Sequence, residues 1–371
     1  PISELKIKND TTTAAITIEI EDIERNFKWI LTKARIGKKS EKTSKLDELS
    51  RLANDYRERY TSDNNVSFPL IIFYDANRGV LDVPLKIRGR HTFQQLDGYD
   101  NSLNGIVDYR RFFEWYRERE DFENESKLKF LENLNQNNFN ADDYAKEFNL
   151  PFDKQLTAVR TAIEIFLPDF KKIRIVRKPR LHMAIDKAGK TLNVEQLSQG
   201  EKLLMSLVGD IARRLAMMNP SLNNALEGNG IILIDEAELH LHPKWQRTLI
   251  SRLSMTFPNC QFILSTHSPL VISDYKEVLC YSLNDGELFP IDDLFGLDVN
   301  QVLIEAMDTD IRNTEIERKI NDFLEKIQDK KLDEAIVILK KLESDLPENH
   351  IELIKSRLLI KRLALHNETN K

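Results

Sequence analysis

Apolar and polar positions alternate where the chain first becomes regular: Ile16, Ile18 and Ile20 share one face, and Thr17, Glu19 and Glu21 the other. A second run from Trp29 to Ile36 follows, so residues 14–36 predict an antiparallel lobe. The period then lengthens. Leu46, Leu49, Leu52, Ala53 and Tyr56 stand at helical spacing with charges between them, which predicts a surface helix over 42–60. Phe68–Tyr74 is almost continuously apolar, as a buried strand should be, and runs into Asp75-Ala76-Asn77-Arg78-Gly79. Residues 101–168 read as mostly helical around an Asn-rich loop at 133–140, with Phe112, Phe113, Trp115 and Tyr116 as core aromatics. Strands return over 172–194. A helix with the stripe Leu203, Leu204, Leu207, Val208, Ile211 and Leu215 comes next. Ile231–Ile234 is an unbroken apolar run, predicting a central parallel strand buried on both faces. Pro243 opens a helix packed by Trp245, Leu249, Ile250 and Leu253, and Gln261–Leu264 forms the next strand, completing a βαβ unit. Beyond Phe295 dense charge and leucines at helical spacing predict two or three amphipathic helices, broken near Pro347.

Composition narrows the class. With 371 residues and 41% hydrophobic content the chain has material for one large core or two modest ones. No stretch approaches the roughly 18 consecutive apolar residues that a membrane span needs, so no membrane domain is expected. Cys260 and Cys280 are the sole cysteines and belong to no CxxC, which argues against zinc and disulfide frameworks and favours a reduced, cytoplasmic setting. The net charge of −6 would repel nucleic acid on average. Two basic stretches work against that: Lys171, Lys172, Arg174, Arg177, Lys178 and Arg180, and again Lys86, Arg88, Arg90 and His91. Each is either a solvated strand face or a phosphate-contacting surface.

Three short segments carry candidate chemistry. Ser198 and Glu201 stand as S-x-x-E at a helix start, a capping box by composition. Gly200 between them permits close backbone approach, and a helix N-terminus offers free N–H groups to an anion. The apolar strand 231–234 ends in Asp235 and Glu236, an arrangement suited to Mg2+ and to polarising an attacking water. Ser265-Thr266-His267-Ser268 follows the next strand, and parallel pairing would bring His267 to the edge that holds the two acids. Glu238, His240 and His242 could in principle hold Zn2+. Ala184–Thr191 reads AIDKAGKT, one residue from the phosphate-loop pattern GxxxxGK[ST]. It is rejected, because Ala replaces the first Gly and a strand-like Leu192-Asn193-Val194 follows where a phosphate loop needs a helix.

Taken in order, Leu197-Ser198-Gln199-Gly200-Glu201, Gly230–Glu236 and Ser265–Ser268 resemble the signature loop, Walker B strand and switch histidine of ATP-binding-cassette ATPases, in the soluble SMC/RecF-like branch. The segments Phe73–Arg78 and Asp108–Trp115 look like the ATPases of Septu-type anti-phage systems and some retrons. The resemblance covers roughly residues 10 to 310. It implies an α/β fold: an ATPase head with a mostly parallel sheet, an antiparallel β lobe, a helical insertion and a small helical C-terminal appendage. The corresponding divisions are 1–100 for the lobe and the start of the core, 101–170 for the insertion, 171–295 for the core with signature, Walker B and switch histidine, and 296–371 for the appendage.

The resemblance further implies ATP and Mg2+ as cofactors, with Glu236 and His267 catalytic and Asp235 on the metal. Ser198, Gln199, Gly200 and Glu201 would contact ATP held by a second copy, and Glu238, His240 and His242 would lie in the loop that touches that copy. Expected partners are a second copy, an HNH-type nuclease and nucleic acid, either DNA or the RNA–DNA of a retron, without a membrane. A true phosphate loop is absent from the sequence, so a preceding strand, Walker A loop and helix are expected outside it, and this chain alone is expected to be inactive. The Gln-bearing loop of the family has no secure counterpart; Asp75–Arg78 is the nearest candidate. A DNA-repair clamp of RecF type is the alternative function. An overcoming-lysogenisation-type nuclease is disfavoured, since 311–371 is short and lacks paired Asp-x-Asp acids.

Overall fold

The computed structural model describes residues 7, 11–22, 25–38, 43–63, 65–77, 92–136, 151–284 and 286–369. They form two compact units, one of residues 1–245 with 249–267 and one of residues 246–248 with 268–371. The basic positions Lys86, Arg88, Arg90 and His91, and Arg78, lie outside the described residues.

The first unit is α/β, as the sequence predicts. Strands β1 (Thr13–Asp22) and β2 (Arg25–Ala34) pair antiparallel along their whole length. Phe27 and Trp29 of β2 pack on Leu52 of helix α1 (Asp47–Ser62), which explains the apolar stripe of that helix. A parallel sheet lies at the centre, in the order β3 (Leu70–Tyr74), β7 (Gly230–Ile234), β8 (Cys260–Leu264). The register runs Tyr74 to Ile234 to Leu264, so the three strands end level at their carboxyl edge. A second antiparallel sheet follows the order β4 (Phe170–Val176), β5 (His182–Lys187), β6 (Lys190–Asn193). The β5–β6 turn closes on Ala188 and Gly189, both in the left-handed region at φ 49° and 76°. This is hairpin chemistry, and no helix follows to hold a phosphate, which agrees with rejecting the AIDKAGKT match.

Helices α2 (Tyr109–Gln136), α3 (Lys154–Phe166), α4 (Gln199–Met218) and α5 (Pro243–Thr256) surround these sheets. The aromatic group Phe112, Phe113, Trp115 and Tyr116 is buried, and together with Val159 and Ile163 of α3 it shares one core with α4 and the parallel sheet. The expectation that β7 is buried on both faces needs correction. Ile232 and Ile234 are buried, whereas Ile231 and Leu233 are only half-buried. On β8, Ile263 of the same face is 50% exposed. Among the described residues β8 also has no neighbour but β7.

The second unit holds the hairpin β9 (Cys280–Asn284) and β10 (Glu287–Ile291), short helices α6 (Pro269–Ile272) and α7 (Val299–Glu305), and the amphipathic helices α8 (Thr314–Gln328), α9 (Leu332–Asp345) and α10 (Ile351–Thr369). Ile320, Phe323, Ala335, Leu339, Leu342 and Leu353 form its small separate core. None of the described helices is long and apolar enough to cross a membrane.

Candidate functional site

Asp235 and Glu236 leave the carboxyl end of β7, and Ser265, Thr266 and His267 leave the end of β8 beside it. Backbone bonds lock the two exits together. Asp235 N donates to Tyr74 O at 2.8 Å, Ser265 N to Ile234 O at 3.0 Å and Ala237 N to Ser265 O at 2.9 Å. The Ser265 hydroxyl then ties the acids to the neighbouring strand: it donates to Asp235 Oδ1 and accepts from Glu236 N at 2.8 Å. The sequence marks His267 as the chemical residue of this Ser-Thr-His motif, and the structure gives the Ser265 hydroxyl a part beside it. Glu236 adopts φ 45° and His240 φ 62°. Such conformations cost of order 1–3 kcal/mol each and persist where surrounding contacts over-determine them, a pattern that concentrates at functional sites.

Glu238 is fully engaged within the chain. Its Oε2 accepts from the Thr266 hydroxyl at 2.5 Å and its Oε1 from His267 N at 2.7 Å. His240 and His242 are exposed. The His242 ring accepts from Lys244 N at 3.2 Å, capping α5, and meets Trp245 edge-on. Among the described residues no three His, Cys, Asp or Glu side chains converge as metal ligands, so the Zn2+ reading of Glu238, His240 and His242 has no geometry behind it.

At the start of α4, Ser198 and Glu201 form the reciprocal capping box. Glu201 accepts from Ser198 N at 3.0 Å and from its hydroxyl at 2.9 Å, and pairs with Lys187. Burial pushes the Glu201 carboxyl up, yet the hydrogen bonds from Lys187 and Ser198 outweigh it and hold the group below the usual carboxylate range. Ser198 and Gln199 are exposed, while Gly200 is buried. A Cβ on Gly200 would stand 2.7 Å from the His240 carbonyl oxygen and 3.1 Å from the Trp245 ring. The close approach that this glycine permits is therefore to the loop after β7 of its own chain.

A buried ionic group, unforeseen in the sequence, connects α4 to the same sheet edge. Asp210 is bound by Arg213 and Arg214, each at 2.7 Å, and accepts from the Tyr74 hydroxyl at 3.0 Å. All three charged residues are at most 1% exposed. Burial raises the Asp210 carboxyl, but the two guanidinium groups prevail and bring it down to about 2. Arg214 also donates to the carbonyls of Gly98 and Asp100 at 2.7 and 2.9 Å. Since the Tyr74 carbonyl holds Asp235 N, one aromatic residue joins the α4 ion group to the acid-tipped strand. Asp75, next along, accepts from Asn77 N at 2.9 Å and donates its own N–H to Gly105 O at 2.9 Å.

The basic stretch on β4 is largely neutralised within the chain. Lys171 pairs with Glu164, Arg174 with Asp186, and Arg177 with Glu120 and Asp121. Lys172, Lys178 and Arg180 are exposed.

The chain is similar to several known proteins. The retron Vc95 probable ATPase of Vibrio cholerae serotype O1 biovar El Tor is 36% identical over 331 residues, covering 79% of this chain and 63% of that protein. The Septu protein PtuA of Bacillus mycoides (strain KBAB4) is 43% identical over 77 residues, 21% of this chain and 10% of that protein. Among solved structures, the SMC head domain from Thermotoga maritima aligns at 20% identity with a TM-score of 0.29, covering 38% of this chain and 49% of that chain. The chain spans less than two thirds of the length of the retron ATPases it matches. Residues 31–273, which hold every candidate residue at the sheet edge and on α4, match a family model, and the chain belongs to that family, described as "AAA domain, putative AbiEii toxin, Type IV TA system".

Proposed function

We propose that this chain is the hydrolytic part of an SMC/RecF-like ATPase that controls a partner nuclease in bacterial anti-phage defence. The observation that carries the reading is the carboxyl edge of the parallel sheet, where Asp235, Glu236 and the loop bearing His267 are brought together by bonds through Ser265. The oxygen-rich set there fits Mg2+, a hard cation that takes one or two carboxylates plus phosphate oxygens. Bound Mg–ATP would supply the electrophilic γ-phosphate. Asp235 would hold the metal, Glu236 would polarise the attacking water, and His267 would orient it. The exposed Ser198 and Gln199 at the N-terminus of α4 suit phosphate held by a second copy. Dimerisation, the nuclease and any nucleic-acid contact through Lys172, Lys178 and Arg180 are parts of the same proposal.

No phosphate loop occurs among residues 1–371. Among the described residues β8 pairs with β7 alone and one face of the sheet is only half-buried, and it is to this edge that we assign the Walker A segment. The retron and Septu relatives favour the defence reading over a RecF-type repair clamp. The test is Glu236→Gln in the protein made from its complete reading frame. Steady-state ATP turnover should fall by about two orders of magnitude or more, and an ATP-bound dimer should accumulate in size-exclusion chromatography. Turnover equal to that of the parent protein refutes the role given to Glu236.

A further inference from the structure

We infer that Glu238 is a positioning residue for His267, and that the loop after β7 couples the signature turn to the hydrolytic edge inside a single protomer. The inference rests on the proposed ATPase reading and changes the part assigned to this loop, which the family resemblance gave to contact with a second copy. Two observations carry it. Thr266 and His267 leave the carboxyl end of β8 beside the loop after β7. Glu238 holds them there through both carboxylate oxygens, one on the Thr266 hydroxyl and one on the His267 backbone N–H. Bonds to an ionised acceptor are stronger than neutral ones, and two of them on consecutive residues fix where the histidine begins.

Two residues further along the same loop, the His240 carbonyl lies where a Gly200 Cβ would come within 2.7 Å. The loop between these contacts is short and turns through left-handed residues at both Glu236 and His240. It is therefore pinned at the acid pair, at the switch loop and at the signature glycine. A displacement at Gly200 is transmitted to Glu238 over two residues, and from Glu238 to His267 by hydrogen bonds. The resemblance puts Glu238, His240 and His242 together in a loop that touches a second copy, whereas the structure separates them: Glu238 is bonded to the loop after β8, and the two histidine side chains are exposed.

Kinetics of four variants of the full-length protein test the assignment: Glu238→Ala, Glu238→Gln, His267→Ala and the double variant Glu238→Ala/His267→Ala. Misplacing a reacting group by an ångström costs up to about a hundredfold, so Glu238→Ala should lower kcat about tenfold or more with KM for ATP nearly unchanged. Gln can still accept from His267 N and donate to the Thr266 hydroxyl, so Glu238→Gln should restore most of kcat. In the His267→Ala background Glu238→Ala should have no further effect, because the residue acts through the histidine. If Glu238→Ala fails to fold, Thr266→Val removes one of the two bonds and takes its place in the same cycle. Effects that multiply in the double variant, or a rise in KM at unchanged kcat, overturn the inference and leave the ATPase reading standing. Full turnover in His267→Ala overturns the ATPase role of the histidine, and the inference with it.

Discussion

Helices α4 and α8 both carry apolar residues at helical spacing, yet they are used differently. α4 buries 17 of its 20 residues, Asp210, Arg213 and Arg214 among them, whereas α8 buries only Ile320 and Phe323 of its 15. α8 is a surface helix with one stripe turned to a small core. Beyond its first turn α4 is enclosed, and its buried polar residues cannot face water, so they must satisfy one another and the neighbouring strand. Enclosure is what suits α4 to position chemistry: its first turn contacts the loop after β7 through Gly200, and its middle reaches Tyr74 and through it Asp235. In the helical unit Lys319 pairs with Glu315 and Asp345 at the surface.

The comparison is sharpest where a charge is removed. Asp210→Ala leaves two arginines buried without their counter-ion and should destabilise the first unit by about 3–5 kcal/mol, read from chemical denaturation, with ATP turnover lost alongside. Phe323→Ala opens a cavity in the helical core at a cost of about 3–5 kcal/mol, but turnover at temperatures below the transition should survive. Loss of turnover there would show that the helical core also serves the site. Gly200→Ala presses a methyl group against the His240 carbonyl and the Trp245 ring. It should cost about 1–3 kcal/mol, measurable as a lower denaturation midpoint.

Acid titration gives the smallest effect and a direction. The folded Asp210 carboxyl lies at about 2, below its ordinary value of 3.8, so its contribution is complete above pH 3.8 and disappears as pH falls through about 2. Glu201 is likewise lowered from 4.5, and its contribution is complete above that pH and declines below it. Far-ultraviolet circular dichroism against pH should therefore show α4 retained between pH 5 and about 4, and melting already at pH 5 would contradict the ion group as the source of its stability.

Much of the frame was legible in the sequence because period and punctuation agree. Alternation gave the β1–β2 pair, the apolar runs gave β3 and β7, and Pro243 marked the start of the crossover helix that leads to β8. The acid pair and the switch loop fell at one edge because parallel strands in register end together. What escaped depends on contacts between segments far apart in the chain. Nothing in the spacing of Asp210, Arg213 and Arg214 tells that all are buried, since i,i+3 and i,i+4 charges are usual on solvated helices. Ser265 looked like a neighbour of His267, and its hydroxyl turned out to tie Asp235 and Glu236 to β8. The uniformly apolar Ile231–Ile234 implied cover on both faces, and the described residues provide it on one.

The central claim is that an ATP site is shared between two copies, with Asp235, Glu236 and His267 from one and the Ser198 turn from the other. Subunit mixing tests it most directly. Glu236→Gln and Ser198→Glu proteins, each inactive alone, are combined in equal amounts and ATP turnover is measured. The account predicts recovered turnover, because a mixed dimer contains one site with an intact acid pair facing an intact signature turn. Two inactive proteins that remain inactive when mixed, while shown to associate, would contradict it.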